Sequence, residues 1–198
     1  MTFTHMVLLL SVAGAPLAAQ SPTGLSIPDG SVRQGTLSFD GRATVGNFTG
    51  TTTTVTGEFH GGPLSEVRGW VEAPVRSLAT GNEKRDRDLN KSMESDKYPT
   101  IRFELTGVDA PGARSDSMAV SLHGRFIIHG VTREATIPAS LGLAAEGIRV
   151  RGETPLNLKD YKIGGLTKLL GMLKMYEEIV VHVDLVFGSA APRHEALR

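Results

Sequence analysis

The sequence has no cysteine, no surplus of charge of either sign and few aromatic residues. Without cysteine among its 198 residues, it can form neither a disulfide nor a thiolate metal site. Its 21 lysine and arginine residues are matched by 21 aspartate and glutamate residues. Because nucleic-acid-binding domains carry a basic surplus, we expect no nucleic acid among its partners. The sequence also lacks a nucleophile elbow, a phosphate loop and a dinucleotide fingerprint, the motifs that most often mark an enzyme.

The apolar run near the N-terminus, residues 6–15, is too short to span a bilayer as a helix. Small residues follow it at positions 18–21, so residues 1–20 are predicted to be a signal peptide cleaved near residues 19–20. No lysine or arginine precedes the run, which leaves open a disordered start or an initiation at Met6. We favour export, which predicts a periplasmic or secreted protein.

Alternation between apolar and polar residues dominates the rest of the chain. A period of two places successive side chains on opposite faces of a strand, so each strand has one dry face. The clearest case is a long hairpin at residues 118–143, whose halves flank a turn at His129-Gly130. Eight alternating segments span residues 32–45, 51–59, 65–75, 101–108, 116–128, 133–143, 148–158 and 178–187.

Glycine- or proline-rich turns separate most of these segments, for example at residues 46–50 and 61–63. Eight short strands separated by such turns indicate an all-β sandwich or an antiparallel barrel. We favour the barrel, because closure removes the exposed strand edges. A single domain is predicted over residues 21–188, with a flexible tail at residues 189–198.

Two segments depart from the period of two. Thr80 and Glu83 form a predicted capping box at the start of a helix over residues 80–95. The apolar residues of this helix recur every four positions and form a thin stripe on one face. The second segment, before the last strand, is predicted to be a short amphipathic helix or lid. Its leucine-rich face contains Leu166, Leu169, Leu170, Leu173 and Tyr176.

Several motifs occur in an order that resembles a known family. They are Ser-Phe at 38–39, Gly-Asn-Phe-Thr-Gly at 46–50, Ser-Leu-Ala-Thr-Gly-Asn at 77–82 followed by Arg-Asp-Arg-Asp-Leu at 85–89, Lys-Tyr-Pro-Thr-Ile-Arg-Phe at 97–103 and Phe-Ile-Ile-His-Gly-Val-Thr-Arg at 126–133. Over residues 32–187 the chain resembles the YceI-like family of polyisoprenoid-binding, lipocalin-like barrel proteins.

The resemblance implies an eight-stranded antiparallel barrel with a helix between the third and fourth strands. It also implies an apolar interior that takes a long isoprenoid chain, such as a quinone or a polyprenyl lipid. Export to the periplasm is a further implication, and it agrees with the predicted signal peptide. The resemblance also implies that Arg85 and Asp88 anchor the helix.

The predicted inward faces contain many small residues and few aromatic ones. Small side chains leave apolar volume unfilled, and such volume is costly unless a ligand occupies it. The composition therefore favours a ligand-binding cavity over a packed core. Alternatively, the glycines mark strand bends needed for closure. The small residues are Gly57, Gly69, Ala73, Gly107, Gly124, Ala135, Ala139 and Gly152. The inward aromatic residues are chiefly Phe39, Phe59, Phe103 and Phe126.

The candidate ligand-binding residues are the larger apolar side chains of the inward faces, the helix and the leucine-rich segment. The last segment could equally plug the barrel end. The candidates are Phe39, Val55, Val71, Val75, Leu89, Met93, Phe103, Leu105, Leu122, Phe126, Ile137, Leu141, Leu156, Tyr161, Leu166, Leu169, Leu170, Leu173 and Val183.

Other polar groups carry weaker signals. The carboxylates Glu83, Asp86 and Asp88 are interleaved with cationic residues, which is typical of a solvated helix face. The histidines have no metal-ligand spacing, so we expect neither a metal nor a cofactor besides a bound isoprenoid. Trp70 is predicted on the outward face, either as a contact for a membrane or a partner or beneath a neighbouring helix.

Three functions follow from these observations. The leading one is non-enzymatic binding, carriage or storage of an isoprenoid or a similar long apolar amphiphile. The second is a small enzyme acting at the barrel mouth. The third is a packed, ligand-free barrel that acts through protein partners. A transient membrane contact and a homodimer are open in each case.

Overall fold

The computed structural model of the protein describes residues 26–113, 117–164, 167–168 and 173–189. Within these ranges, the elements are β1 (Ser26–Ile27), β2 (Gly30–Ala43), β3 (Gly46–Thr52), β4 (Thr56–His60), β5 (Gly62–Pro63), β6 (Arg68–Pro74), α1 (Glu83–Ser92), β7 (Thr100–Ala113), β8 (Ser117–Ile128), β9 (Val131–Ala144), β10 (Gly147–Asn157), β11 (Thr167–Lys168), β12 (Leu173–Lys174) and β13 (Glu178–Ser189). No helix of the described part is long and apolar enough to cross a membrane.

The strands close into an eight-stranded antiparallel barrel. Its order is β2, β4, β6, β7, β8, β9, β10 and β13, and β13 pairs with β2 to close the ring. The helix α1 follows β6 and precedes β7, which are the third and fourth barrel strands. The predicted all-β class, the eight-stranded lipocalin-like barrel and the place of this helix are therefore confirmed.

The predicted central hairpin is also present. Strands β8 and β9 pair from Ser117↔Gly142 to Ile128↔Val131. His129 and Gly130 have φ angles of +52° and +73°, so the two-residue turn is left-handed at both positions. Such a turn matches the right-handed twist of the strands that it joins.

The second predicted strand, residues 51–59, is divided, and the turn predicted at residues 46–50 is wrong. Residues 46–52 form β3, which pairs with β2, and the turn precedes them. Gly50 serves packing rather than a turn, because a Cβ there would lie 2.2 Å from the ring of Phe39. After β3, the Thr52 hydroxyl accepts a hydrogen bond from the Thr54 N–H (3.0 Å), a local turn that competes with the strand ladder.

The helix begins later than predicted, and the capping box is wrong. The N-cap is Asn82, whose side-chain oxygen accepts a hydrogen bond from the Arg85 N–H at 3.0 Å. Gly81, with φ of +72°, lies just before it and holds a backbone conformation outside the right-handed helix. Thr80 instead donates from its N–H and its hydroxyl to Asp86 Oδ1, at 2.9 and 2.5 Å.

The leucine-rich segment before the last strand is not a helix where it is described. Strands β11 and β12 pair antiparallel, and Met175 then forms a bridge with Ala43 at the end of β2. The Tyr176 N–H donates to the Arg42 carbonyl at 2.8 Å, so this chain segment lies against one end of the barrel. The predicted helix is thus absent from the described residues of this segment, and a lid stays a prediction.

The other end of the barrel is closed by a floor made of β1, β5 and the apolar cluster beneath them. Strand β1 pairs with β5 through Ser26↔Pro63 and Ile27↔Gly62. Ile27 is buried against Val67, Val108 and Val120. The barrel therefore has α1 at one end and the floor at the opposite end.

Candidate functional site

The barrel interior contains two apolar cavities, the larger of which lies beside α1. This mouth chamber has a volume of about 350 Å³. Leu89 and Met93 from the helix side and Phe39, Leu156 and Tyr161 from the barrel side contribute to its wall. No residue of α1 itself is fully buried, and the helix packs against the core cluster through the partly buried Leu89.

The second cavity, the deep chamber, lies toward the floor and has a volume of about 130 Å³. Phe59, Phe103, Phe126 and Phe187 supply aromatic surface to its wall. Leu37 and Val181 belong to the walls of both chambers, and the region beside these two side chains is called the passage below. Together the chambers form an apolar space that runs from the helix toward the floor.

Most of the predicted ligand-binding residues line this space. In the mouth chamber they are Phe39, Leu89, Met93, Leu156 and Tyr161. In the deep chamber they are Val71, Phe103, Leu105, Leu122, Phe126, Ile137, Leu141 and Val183. The period of two brings these residues together, because inward-facing positions of all barrel strands share one interior.

The remaining candidates lie elsewhere. Val55 is in the connection between β3 and β4, since the strand on which it was predicted is interrupted there. Val75 is fully buried in the core cluster that also holds Leu78 and Met93, outside both chamber walls. Leu166, Leu169 and Leu170 lie outside the described residues, as does the side chain of Leu173.

Several wall residues were not among the candidates. Leu37 and Val181 at the passage, and Thr154, Leu185 and Phe187 in the deep chamber, were missed. All five lie on β2, β10 or β13, strands in which apolar and polar residues alternate. Assigning the inward-facing positions of these strands from the alternation could have identified them.

The small inward residues have two roles. Gly69 and Gly152 border the deep chamber, as expected for a cavity. A Cβ at Gly57 or Gly69 would lie 2.4 Å from a carbonyl oxygen of the neighbouring strand, and one at Gly124 would lie 2.2 Å from such an oxygen. Glycine is therefore needed there for close strand contact, while the alternative that these glycines mark strand bends stays a prediction.

The carboxylates of α1 have structural partners. Asp86 holds Thr80, as described above, and Glu83 forms an i,i+4 ion pair with Arg87 at 3.6 Å. Arg85 donates to the Thr80 hydroxyl at 2.8 Å and to the Thr80 carbonyl at 2.9 Å. Its guanidinium also lies over the Phe48 ring, 4.5 Å from the centroid. These bonds fasten the helix over the mouth chamber.

His129 joins the central hairpin to the wall of the mouth chamber. This residue is buried, and its Nδ1 lies 3.0 Å from the carbonyl oxygen of Tyr161. Its ring packs against Tyr98 with centroids 4.6 Å apart, and its Nε2 lies 3.4 Å from Glu94 Oε1. The bond to the Tyr161 carbonyl ties the hairpin turn to the chamber wall, and burial raises the pKa of the Tyr161 phenol.

A polar cluster lies on the outer face of the barrel, away from the chambers. His182 Nε2 is 2.9 Å from Asp40 Oδ2, and its Nδ1 is 3.4 Å from Glu153 Oε2. The Thr49 hydroxyl donates to Asp40 at 2.6 Å and, with His182, holds the pKa of that carboxyl below its usual range. Among the described residues, no histidines and carboxylates are grouped as a metal would require.

Trp70 also lies on the outer face, as predicted. Its Nε1 donates to Glu58 Oε1 at 3.4 Å, and the Arg102 guanidinium lies 4.4 Å from the ring centroid. The cover expected from a neighbouring helix is thus provided by an arginine on β7. A membrane contact through Trp70 stays a prediction.

The sequence was compared with family models, curated proteins and solved structures. The model of the YceI-like domain matches residues 31–187. The comparison with curated proteins finds no match.

Solved structures share the fold. A polyisoprenoid binding domain from Saccharophagus degradans, implicated in plant cell wall breakdown, has a TM-score of 0.69 and 17% identity; the match covers 83% of this chain and 99% of that chain. BcnA from Burkholderia cenocepacia has a TM-score of 0.65 and 14% identity; the match covers 77% of this chain and 95% of that chain. A YCEI protein from Campylobacter jejuni has a TM-score of 0.50 and 19% identity; the match covers 63% of this chain and 72% of that chain.

Proposed function

The chain belongs to the YceI-like family, and we propose that it binds, carries or stores a long apolar amphiphile of the isoprenoid class, without catalysing a reaction. The observation that carries the proposal is the two-chamber interior, whose walls are mostly apolar. The similar domain from Saccharophagus degradans, which is described as polyisoprenoid binding, supports the ligand class.

The physical chemistry of the interior favours such a ligand. Burying one methylene group is worth ~0.8 kcal/mol, so a chain of a few isoprene units gains a large transfer free energy in this space. Ordering a flexible chain opposes part of this gain. A prenyl chain is branched and unsaturated, which limits its conformations, and the soft side chains of Met93 and Met175 can adapt to it.

Export is part of the proposal. The apolar run at residues 6–15 and the small residues that follow it support a signal peptide cleaved near residues 19–20. In the periplasm or outside the cell, an apolar lipid needs a carrier to cross water. N-terminal sequencing of the protein recovered from the periplasm tests this step, and recovery of the uncleaved chain from the cytoplasm would contradict it.

The main test is to purify the mature protein from its own cells under mild conditions and to measure bound mass by native mass spectrometry, followed by solvent extraction. We expect a stoichiometric lipid with an isoprenoid mass pattern. Leu37→Trp, which fills the passage between the chambers, should lose this lipid.

The matched control is Leu143→Trp, which places the same side chain at a position that is 93% exposed. It should retain the lipid. Protein that is empty when isolated, and that fails to take up prenyl alcohols or quinones in vitro, would contradict the proposed function.

A further inference from the structure

Two short chain segments beside the mouth chamber form a small surface that we call the lip, made of residues 42–46 and 174–176. Ala43 forms an antiparallel bridge with Met175 there. Both residues, together with Val45, belong to the wall of the mouth chamber. The lip is thus continuous with the chamber, and anything that contacts the lip lies beside the candidate binding site.

The tip of the lip is an apolar side chain in water. Val45, in the turn between β2 and β3, is 76% exposed. A Cβ at the neighbouring Gly46 would meet nothing within 4 Å, so the turn has open space beside it. Since a single exposed apolar residue is common on protein surfaces, its meaning depends on the side chains around it.

The other segment of the lip holds an aromatic side chain flanked by cations. Tyr176 is 45% exposed. The Arg42 guanidinium lies 5.5 Å and the Lys174 Nζ 6.0 Å from the centroid of its ring. Glu178, at 3.8 Å from Arg42, offsets that cation. An exposed tyrosine with lysine and an apolar tip is typical of a surface at the membrane–water interface, where the ring lies at the level of the head groups.

The wall of the mouth chamber also has a surplus of positive charge among the described residues. Its cationic residues are Lys84, Arg85 and Lys174, and its acidic residue is Asp88. Lys84 and Lys174 form no ion pair with any residue that the structure describes. Because the formal net charge of the whole chain is zero, this surplus is a local feature. It is complementary to the anionic head groups of a membrane surface.

We propose that the lip docks this end of the barrel on an anionic lipid bilayer. Val45 and Tyr176 enter the head-group region, and Lys84 and Lys174 lie against lipid phosphates. The inference rests on the proposed function, because a bilayer is the source and the destination of a long apolar lipid, and it adds the surface through which that lipid is exchanged. A contact of this size is reversible, as a carrier requires.

The test measures binding of the purified mature protein to vesicles of phosphatidylcholine, with and without phosphatidylglycerol, by flotation. We expect binding to the vesicles with phosphatidylglycerol, and less of it as salt is added. Val45→Asp should weaken this binding by about tenfold or more, because it removes a buried valine and adds a repelled charge. Lys174→Gln should weaken it by about fivefold, the value of one lysine near an anionic surface.

The matched control is Leu143→Asp, which makes the same kind of change at an apolar residue that is 93% exposed. Leu143 pairs with Ile148 on β10, and Ile148 pairs with Phe187 near the end of β13. Phe187 packs against Phe59 and lines the deep chamber, so Leu143 lies at the floor end of the barrel. This variant should bind vesicles as the wild type does. Because Val45 and Leu143 are both exposed, neither variant should unfold.

Three results would overturn the docking surface. One is equal binding of the wild type and Val45→Asp. Another is binding that Trp70→Ala abolishes and Val45→Asp does not, which would place the contact on the outer face. The third is no vesicle binding at all, including the case in which the lip instead joins two copies of the chain and Val45→Asp abolishes that dimer.

Farnesol separates this inference from the proposed function. If farnesol binds to the protein but the vesicles do not, the docking surface is wrong and the carrier function stands. If vesicles bind through Val45 but farnesol does not bind, the docking surface is confirmed and the carrier function is wrong.

Discussion

At the residue scale, charged side chains on the outer face fasten the strands that close the barrel. Asp184 on β13 accepts two hydrogen bonds from Arg149, both at 2.6 Å, and a third from Arg151 at 3.1 Å. Both arginines lie on β10, the neighbouring strand. The Arg149 bonds, helped by Arg151, hold the pKa of the Asp184 carboxyl below its usual range.

This pKa shift predicts how stability changes with pH. A carboxyl whose pKa is lower in the folded state stabilises the protein fully above the unfolded pKa, about 4, and loses this effect as the pH falls through the folded value. Asp184→Asn should therefore lower the free energy of unfolding at pH 7 by about 0.5–1 kcal/mol, a modest value because the pair is partly exposed. Urea unfolding at pH 7 and at pH 3 should show the difference shrinking at the lower pH.

The control for this prediction is Glu66→Gln, which removes an exposed carboxylate that has no ion pair within the described structure. It should change stability little at either pH. A deficit of Asp184→Asn that stays constant between pH 7 and pH 3 would show that the charge of Asp184 is not the cause.

At the element scale, the floor depends on a close approach between two chain segments. A Cβ at Gly61 would lie 1.9 Å from the carbonyl oxygen of Ile27, which is backbone and cannot swing aside. The Gly61 N–H also donates to Asp29 Oδ1 at 2.7 Å. Only glycine at this position allows β1 to lie across the barrel end and to bury Ile27.

We therefore expect Gly61→Ala to displace β1 and to open the deep chamber to water. The destabilisation should be about 1–3 kcal/mol, typical of overpacking, and the amide of Ile27 should lose protection from hydrogen exchange. Gly164→Ala is the matched control, because nothing lies within 4 Å of its Cβ position. Full protection of Ile27 in Gly61→Ala would refute this role of the floor.

At the scale of the whole molecule, a closed barrel with an apolar interior couples ligand binding to folding. A ligand that binds only the folded state, present at 100 times its Kd, adds about 2.7 kcal/mol to the free energy of unfolding. For a chain of this size, that corresponds to a rise in Tm of about 5–11 °C. Farnesol should produce a rise of this order that grows with the logarithm of its concentration.

Differential scanning calorimetry of the wild type and of Leu37→Trp checks this prediction. The variant should fold but show little or no rise in Tm with farnesol, since its passage is filled. A Tm of the wild type that does not respond to farnesol at any concentration would mean that the interior does not take up a prenyl chain.

Local patterns in the sequence were sufficient for most of the architecture. Alternation with a period of two depends only on neighbouring residues, so it predicted the barrel strands, the β8–β9 hairpin and its turn at His129-Gly130. It failed between β3 and β4, where the Thr54 N–H bonds to the Thr52 hydroxyl and the strand is interrupted, so Val55 was placed in a strand that does not continue. In the leucine-rich segment, the helical spacing of the leucines predicted a helix, but β11 pairs with β12 there.

By itself, the sequence thus determined the fold class and placed most of the predicted ligand-binding residues on inward faces. The division of that interior into two chambers was decided only by the tertiary structure. It depends on which side chains of β2, β10 and β13 meet across the closed barrel, including a register shift between Val186 and Phe187. The floor over Ile27 is a contact between residues far apart in sequence, which no local pattern specifies.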